Sequence, residues 1–504
     1  MQTPSTRAQG ARIEFYRKTG KIHPRSTRGR YDSLRWAMVW ITQLVFYGSC
    51  WLSWDGRQAL LFDIVERKFY LFGLVLWPQD AMLLALLLMI SATALFLVTA
   101  VAGRLFCGFA CPQTVYTAIF RWVEERVEGD HLARMRLDQA PLGLRTIALK
   151  FGKHAIWLAI ALWTGITFVG YFTPIKELLW NLGPGELGPW EGFWVFFYAA
   201  FAYLQAGFAR EMVCTHMCPY SRFQGAMFDR DTVTVSYDSE RGEPRKLRSQ
   251  AAAGAAATTA TAYATLPSIT ARDETNPRGD CVDCSLCVQV CPTGIDIRDG
   301  LQYQCIDCGL CIDACDEVMT RIARPTGLIR FASENELGAP ATSSSPTRSA
   351  PSSPRSSSPP RSPILAGLLR PRALVYLGFL VAFAVAGIWL VAERIPLRVD
   401  VLRDRHALFQ EAADGSIENT YTLKLMNMLE APRAFRIQVE GPAGARIVGP
   451  DTFQLARGSV LPVPVTVAAR PEPGKSGAQE IRFHIKAVDG PPTAITERSA
   501  FLLP

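Results

Sequence analysis

Cys281-Val282-Asp283-Cys284-Ser285-Leu286-Cys287-Val288-Gln289-Val290-Cys291-Pro292 is followed, fourteen residues beyond Cys291, by Cys305-Ile306-Asp307-Cys308-Gly309-Leu310-Cys311-Ile312-Asp313-Ala314-Cys315-Asp316. The C-x2-C-x2-C-x3-C spacing lets three thiolates of one tight loop reach three irons of a [4Fe-4S] cubane, and leaves the fourth iron to a cysteine from elsewhere in the chain. The duplicate supplies that cysteine. Read crosswise, one cluster takes Cys281, Cys284, Cys287 and Cys315, and the other takes Cys305, Cys308, Cys311 and Cys291. A pair of zinc sites is the rival reading, but the cysteine pairs of zinc sites usually lie further apart. The chemistry expected of this segment is electron relay.

Outward from these loops the chain becomes apolar. Of its 504 residues, 49% are hydrophobic and only 19% charged, which invites a search for spanning segments. Five stretches qualify as transmembrane helices: residues 34–54, 81–102, 154–173, 187–208 and 373–392. Basic residues gather in the N-terminal tail, from Arg7 to Arg30, and after the second span, from Arg104 to Lys153. The positive-inside rule therefore puts both regions, and the iron-sulfur segment, on the cytoplasmic side of the membrane, and everything after the fifth span outside. A reducing compartment also argues against disulfides in the iron-sulfur segment. The net charge of +8 sits beside apolar runs and forms no continuous basic stripe, so nucleic-acid binding is not expected. The first 33 residues have no apolar core and do not read as a cleavable signal peptide.

The expected fold is thus an α-helical membrane protein of about five transmembrane helices, with an inserted cytoplasmic ferredoxin-like segment and a C-terminal all-β sandwich. Its parts are a basic tail at 1–33, a four-helix membrane domain at 34–230, and a low-complexity Ala/Thr linker at 246–275. The ferredoxin-type domain at 276–330, a Ser/Pro-rich linker at 335–370, the fifth span and an immunoglobulin-like domain at 396–504 complete it. The last assignment rests on period-two alternation: Tyr421, Leu423 and Leu425, then Val463, Val465 and Val467, then Ile481, Phe483 and Ile485. About 110 residues with Gly and Pro turns suit a small sandwich.

Twelve of the 13 cysteines fall into four motifs; Cys50, inside an apolar run, reads as a small buried hydrophobe. The remaining two motifs match each other: Cys107 and Cys111 before Pro112, and Cys214 and Cys218 before Pro219. If helix continued through each, the i and i+4 sulfurs would share a face. Four thiolates could then converge at the membrane edge as one soft-metal site suited to Cu(I), with Met212, Met217 and His216 nearby. A third iron-sulfur cluster, a zinc site or plain packing are the other readings of these pairs.

With Trp77-Pro78-Gln79-Asp80, both CxxxCP motifs, the run 279–299 and the C-terminal sandwich in view, the chain resembles the bacterial cytochrome c oxidase accessory proteins, polyferredoxin-like membrane proteins. The resemblance implies a cupric reductase that delivers Cu(I) for assembly of a haem-copper oxidase, with Cys107, Cys111, Cys214 and Cys218 as its copper-handling catalytic residues. It implies as partners a soluble cytoplasmic electron donor and oxidase assembly factors or copper chaperones or transporters, and a homodimer is compatible with it. A quinol dehydrogenase and a non-catalytic assembly scaffold are the alternative functions.

Overall fold

The computed structural model describes residues 22–141, 143–245, 279–337, 367–404, 408–429, 431–470, 476–490 and 492–504. The basic tail up to residue 21, the whole 246–275 linker and positions 338–366 of the Ser/Pro linker lie outside the described residues. The chain divides into two compact units, Met1–Leu52 with Ile90–Val381 and Ser53–Met89 with Ala382–Pro504.

Among the described residues, four helices are long and apolar enough to cross a bilayer: Pro78–Ala102, Leu144–Val169, Pro189–Ala209 and Pro371–Ala392. Long uncharged runs become helices in lipid because every backbone group must find its partner within the segment. The first expected span, 34–54, is shorter and starts earlier, as helix Arg30–Ser49. The chain leaves the helix at Cys50, and Ser53–Trp54 pairs with Arg57–Gln58. Asp32, Arg35, Thr42 and Gln43 make it less apolar than the other four. Cys50 is buried against Ile166, Ile175 and Leu178, the packing role expected of it.

In the second unit, residues 55–80 are more than a connecting loop. Leu60–Asp63, Lys68–Leu71 and Leu74–Leu76 form a three-stranded antiparallel sheet. The Trp77-Asp80 stretch explains its presence. The buried Asp80 carboxylate accepts the Trp77 N–H at 3.0 Å and pairs with Arg394, just past the last helix. Val75 and Trp77 pack on Met428, and the Lys68 ammonium donates to the Gly458 carbonyl at 2.9 Å. This small sheet is therefore built onto the C-terminal β domain.

That domain is a sandwich of two antiparallel sheets. One runs in the order Arg446–Val448, Val460–Ala469, Ile417–Asn427, Leu397–Arg403; the other runs Thr452–Leu455, Arg433–Glu440, Gly477–Ala487, Ala494–Leu503. The alternating residues read from the sequence, Tyr421 through Ile485, form its core. The outer strand Ala494–Leu503 is latched from the opposite sheet. The Tyr421 hydroxyl donates to the Ala500 carbonyl at 2.9 Å. The Asn419 amide donates to the Leu502 carbonyl at 3.0 Å and accepts the Leu502 N–H at 3.2 Å. Asn419→Ala leaves both backbone groups without those partners, so amide exchange of Leu502 should quicken about ten-fold or more. Exchange at the wild-type rate would show that the latch contributes nothing.

Candidate functional site

The two cysteine repeats fold alike. Asp283 and Asp307 both sit in the left-handed region, at φ 50° and 51°, and so do Ser285 and Gly309 two residues later, at 56° and 73°. These residues turn each loop tightly enough to aim successive thiols inward. At the second repeat only glycine fits as well, because an added Cβ on Gly309 would stand 2.7 Å from the Tyr31 ring.

Two small cavities result. One is lined by Cys281, Cys284, Cys287 and Cys315 among Val282, Val318, Met319, Leu328 and Ile329. The other is lined by Cys291, Cys305, Cys308 and Cys311 among Ile295, Ile297 and Ile306, with Cys287 at its rim. Each cavity thus combines three cysteines of one repeat with the fourth of the other. The strand Thr234–Tyr237, which precedes the linker, pairs with Ile329–Ala332 and closes the apolar wall around Cys281 and Cys287.

The donor set fits an iron-sulfur core better than a lone ion. Burial pushes the Cys287 and Cys315 thiols up to about 12 and holds Cys305 and Cys311 well above the usual thiol range. Without a positively charged core they would stay protonated, and the thiolate is the metal-binding form. Among the described residues no three His, Cys, Asp or Glu side chains converge as for a single ion. A tetrahedral zinc would draw all four sulfurs to about 2.3 Å from one point. Cavities lined by four or more cysteines of two such repeats suit a cubane.

At the CxxxCP motifs the expected continuous helix is not found. The second span ends at Ala102, a short helix covers Leu105–Phe109, and Cys111 has extended backbone before the helix Pro112–Glu128. At the second motif the chain passes through wide turns at Gln205–Ala209 and Val213–Met217, with Arg210 between them at φ 38°. Cys218, also extended, precedes the helix Pro219–Met227. Proline explains both breaks: it disfavours helical backbone in the residue before it and suits the first turn of the next helix. The Thr114 hydroxyl donates to the Cys107 carbonyl, and the Ser221 hydroxyl donates to the Cys214 carbonyl, the same bond seven residues on in each motif.

The four thiols are neighbours in pairs, Cys107 with Cys111 and Cys214, and Cys218 with Cys111 and Cys214, but no three of them converge as for a single ion, so the expected four-thiolate site is not assembled here. Burial first, then neighbouring thiols, push Cys107 up to about 12 and Cys214 up to about 11. The Cys107 thiol donates to the Gln224 amide oxygen at 3.4 Å. Met212 and Met217 are exposed.

The first CxxxCP motif is pressed against the second iron-sulfur loop. Cys107 packs in one apolar cluster with Val290, Ile306, Cys308, Leu310 and Cys311. An added Cβ on Gly108 would lie 2.6 Å from the Ile306 carbonyl oxygen, so glycine is what permits the approach. The buried Asp307 carboxylate accepts the backbone N–H of Arg104 at 2.9 Å and of Val235 at 3.1 Å. The Arg104 guanidinium donates to the carbonyls of Tyr303, Cys305 and Ser221, and so joins this loop to the helix after the second motif. Arg210 donates to the buried Glu124 at 2.6 Å and anchors the second motif. Sequence reasoning counted Arg104 only as a flanking charge and gave Arg210 no role; an arginine shortly before each of the two matching motifs was the available signal.

Residues 209–334 match a family model described as a 4Fe-4S dicluster domain, and residues 84–128 match a 4Fe-4S binding domain. Residues 387–504 match the Ig-like fold at the C-terminus of FixG. The chain is 37% identical over 467 residues to the nitrogen fixation protein FixG of Rhizobium meliloti, covering 90% of this chain and 86% of that one. It is 35% identical over 440 residues to protein RdxA of Cereibacter sphaeroides, covering 86% and 85%. Protein RdxB of the same organism is 35% identical over 506 residues, covering 99% and 94%. The crystal structure of a FixG-related protein from Vibrio parahaemolyticus is 30% identical and covers 21% of this chain and 96% of that one, with a TM-score of 0.20.

Proposed function

The chain belongs to the FixG family of membrane iron-sulfur electron-transfer proteins, and from that premise we propose that it reduces Cu(II) to Cu(I) for assembly of a haem-copper oxidase. In this reading Cys281, Cys284, Cys287 and Cys315 hold one [4Fe-4S] cluster, and Cys291, Cys305, Cys308 and Cys311 hold the other. When bound, such clusters store and pass single electrons. Copper is the substrate, and in this reading Cys107, Cys111, Cys214 and Cys218, which do not converge on one point in this structure, close on it as it is taken up, their soft sulfurs favouring the reduced ion.

The observation that carries the reading is the contact of Cys107 with the Cys308 and Cys311 loop, made through Gly108 and stiffened by Arg104 and Asp307. It sets Cys107, one of the four thiols of this reading, beside Ile306, Cys308 and Cys311, which also line the second cavity. The flanking charges support a bacterial inner-membrane orientation with the cysteine motifs in the cytoplasm and the sandwich in the periplasm. There the sandwich would face oxidase assembly factors or copper chaperones, and its residues carry no metal-binding cysteine.

The test is anaerobic. Dithionite-reduced protein is mixed with Cu(II), and Cu(I) is followed with a chelating dye. A variant with all four CxxxCP cysteines changed to serine should keep its iron and lose Cu(I) formation; equal rates in the two proteins would remove the proposed site.

A further inference from the structure

The helix Arg30–Ser49 presents an aromatic stripe at helical spacing, Trp36, Trp40 and Tyr47, continued by Trp51 just past its end. The stripe lines a cavity of about 940 Å³ whose other wall includes Trp122 and Trp163. Gln43 lies in the middle of the stripe; its side chain is within hydrogen-bonding reach of the Tyr116 hydroxyl, and its amide oxygen is buried without a hydrogen-bond partner. Beside it the Tyr116 hydroxyl donates to the Tyr47 oxygen at 3.4 Å. The Tyr47 and Thr164 hydroxyls are bonded at 2.8 Å, and Thr164 donates onward to the Ile160 carbonyl at 2.8 Å.

We propose that this cavity binds the ring of a membrane quinol, which is the reductant of the iron-sulfur protein. Three features of the cavity select that ligand. The aromatic walls suit a flat ring. The unpartnered Gln43 oxygen is an acceptor awaiting a donor, which a quinol hydroxyl supplies and a lipid acyl chain does not. The location is the third. Trp36, Val39 and Trp122 also line a neighbouring polar cavity of about 720 Å³, which reaches Leu286, Val290, Leu310 and Ala314. Those four pack with Cys308 and Cys311. One ring site therefore communicates, through a few side chains, with an iron-sulfur loop. It also gives a role to Gln43, the polar residue of this helix that lines the cavity.

The reaction balances. A quinol loses two hydroxyl hydrogens as two protons and two electrons and becomes the quinone. Two Cu(II) each accept one electron and become Cu(I), and the protons leave to water through the polar cavity. The ring site and the passage of electrons to the iron-sulfur cysteines rest on the iron-sulfur reading; the final acceptor, two Cu(II), is the one that the proposed function supplies.

Full-length protein in lipid nanodiscs, with its iron, is titrated anaerobically with decylubiquinone and decylubiquinol. Quenching of tryptophan fluorescence reports binding, and bleaching of the visible iron-sulfur absorbance reports reduction. Gln43→Leu is expected to weaken quinol binding and slow bleaching by about ten-fold, the effect of one lost hydrogen bond. Gly48→Leu keeps the test independent of misfolding: Gly48 lines the cavity, and an added Cβ there meets nothing within 4 Å. It should block binding while iron content and reduction by dithionite stay as in wild type. Quinol binding and bleaching unchanged in both variants, or a cavity holding phospholipid that quinol does not displace, overturns the proposal. Normal quinol oxidation with no Cu(I) formed would count against the copper reading instead.

Discussion

Changing Cys281 and Cys315 together to alanine is expected to cut the iron of anaerobically purified protein by about half, whereas changing Cys281 and Cys291 together should remove nearly all of it. The difference follows from the crossed lining of the two cavities. Cys281 and Cys315 border the same cavity, so the pair injures one cluster and leaves the donors of the other complete. Cys291 borders the second cavity with Cys305, Cys308 and Cys311, so Cys281 with Cys291 deprives each cluster of a ligand. Sequence order alone would pair Cys281 with Cys291 and forecast the reverse ranking. Iron and sulfide analysis per chain, with the spectrum of the reduced protein, decides between them. Iron lost equally in both doubles, or the reverse ranking, would end the crossed assignment.

The second large effect is expected at Arg104. Its side chain is 2% exposed and its guanidinium serves the Tyr303, Cys305 and Ser221 carbonyls. Arg104→Ala leaves three carbonyls short of a donor, of which that of Ser221 is buried and those of Tyr303 and Cys305 are half-buried, a total cost on the order of 3 kcal/mol. The iron-sulfur absorbance should then bleach at a markedly lower temperature than in wild type. Arg104→Lys should recover little of the loss, since a single ammonium cannot span carbonyls on separate segments as the planar fork does. Full recovery with lysine would mean that the positive charge matters there and the fork geometry does not.

The iron-sulfur motifs were legible because the chemistry is written in spacing: a loop that must aim three thiols at one core tolerates few separations between them. Spans were legible for the same kind of reason, as lipid forbids exposed backbone and so demands long apolar runs. The sandwich core was legible from strict alternation. The first helix was less so, since Gln43 and Tyr47 belong to a cavity that no hydropathy pattern announces. The helix breaks at Cys111 and Cys218 were within reach, because each cysteine stands before a proline and that position disfavours helical backbone.

Sequence by itself determined the two cysteine repeats, with iron-sulfur ligation and crossed grouping as expectations, four helices long and apolar enough to span and the β domain, all of them consequences of local spacing and periodicity. Tertiary structure alone decided that Cys107 touches the loop of Cys308 and Cys311, that Asp307 and Arg104 join them, and that Asp80 meets Arg394. These pairs are separated by about two hundred residues or more, and no local rule of spacing links their ends. Only the closing of distant segments around shared buried surface, where an unpaired polar group is costly, selects such partners.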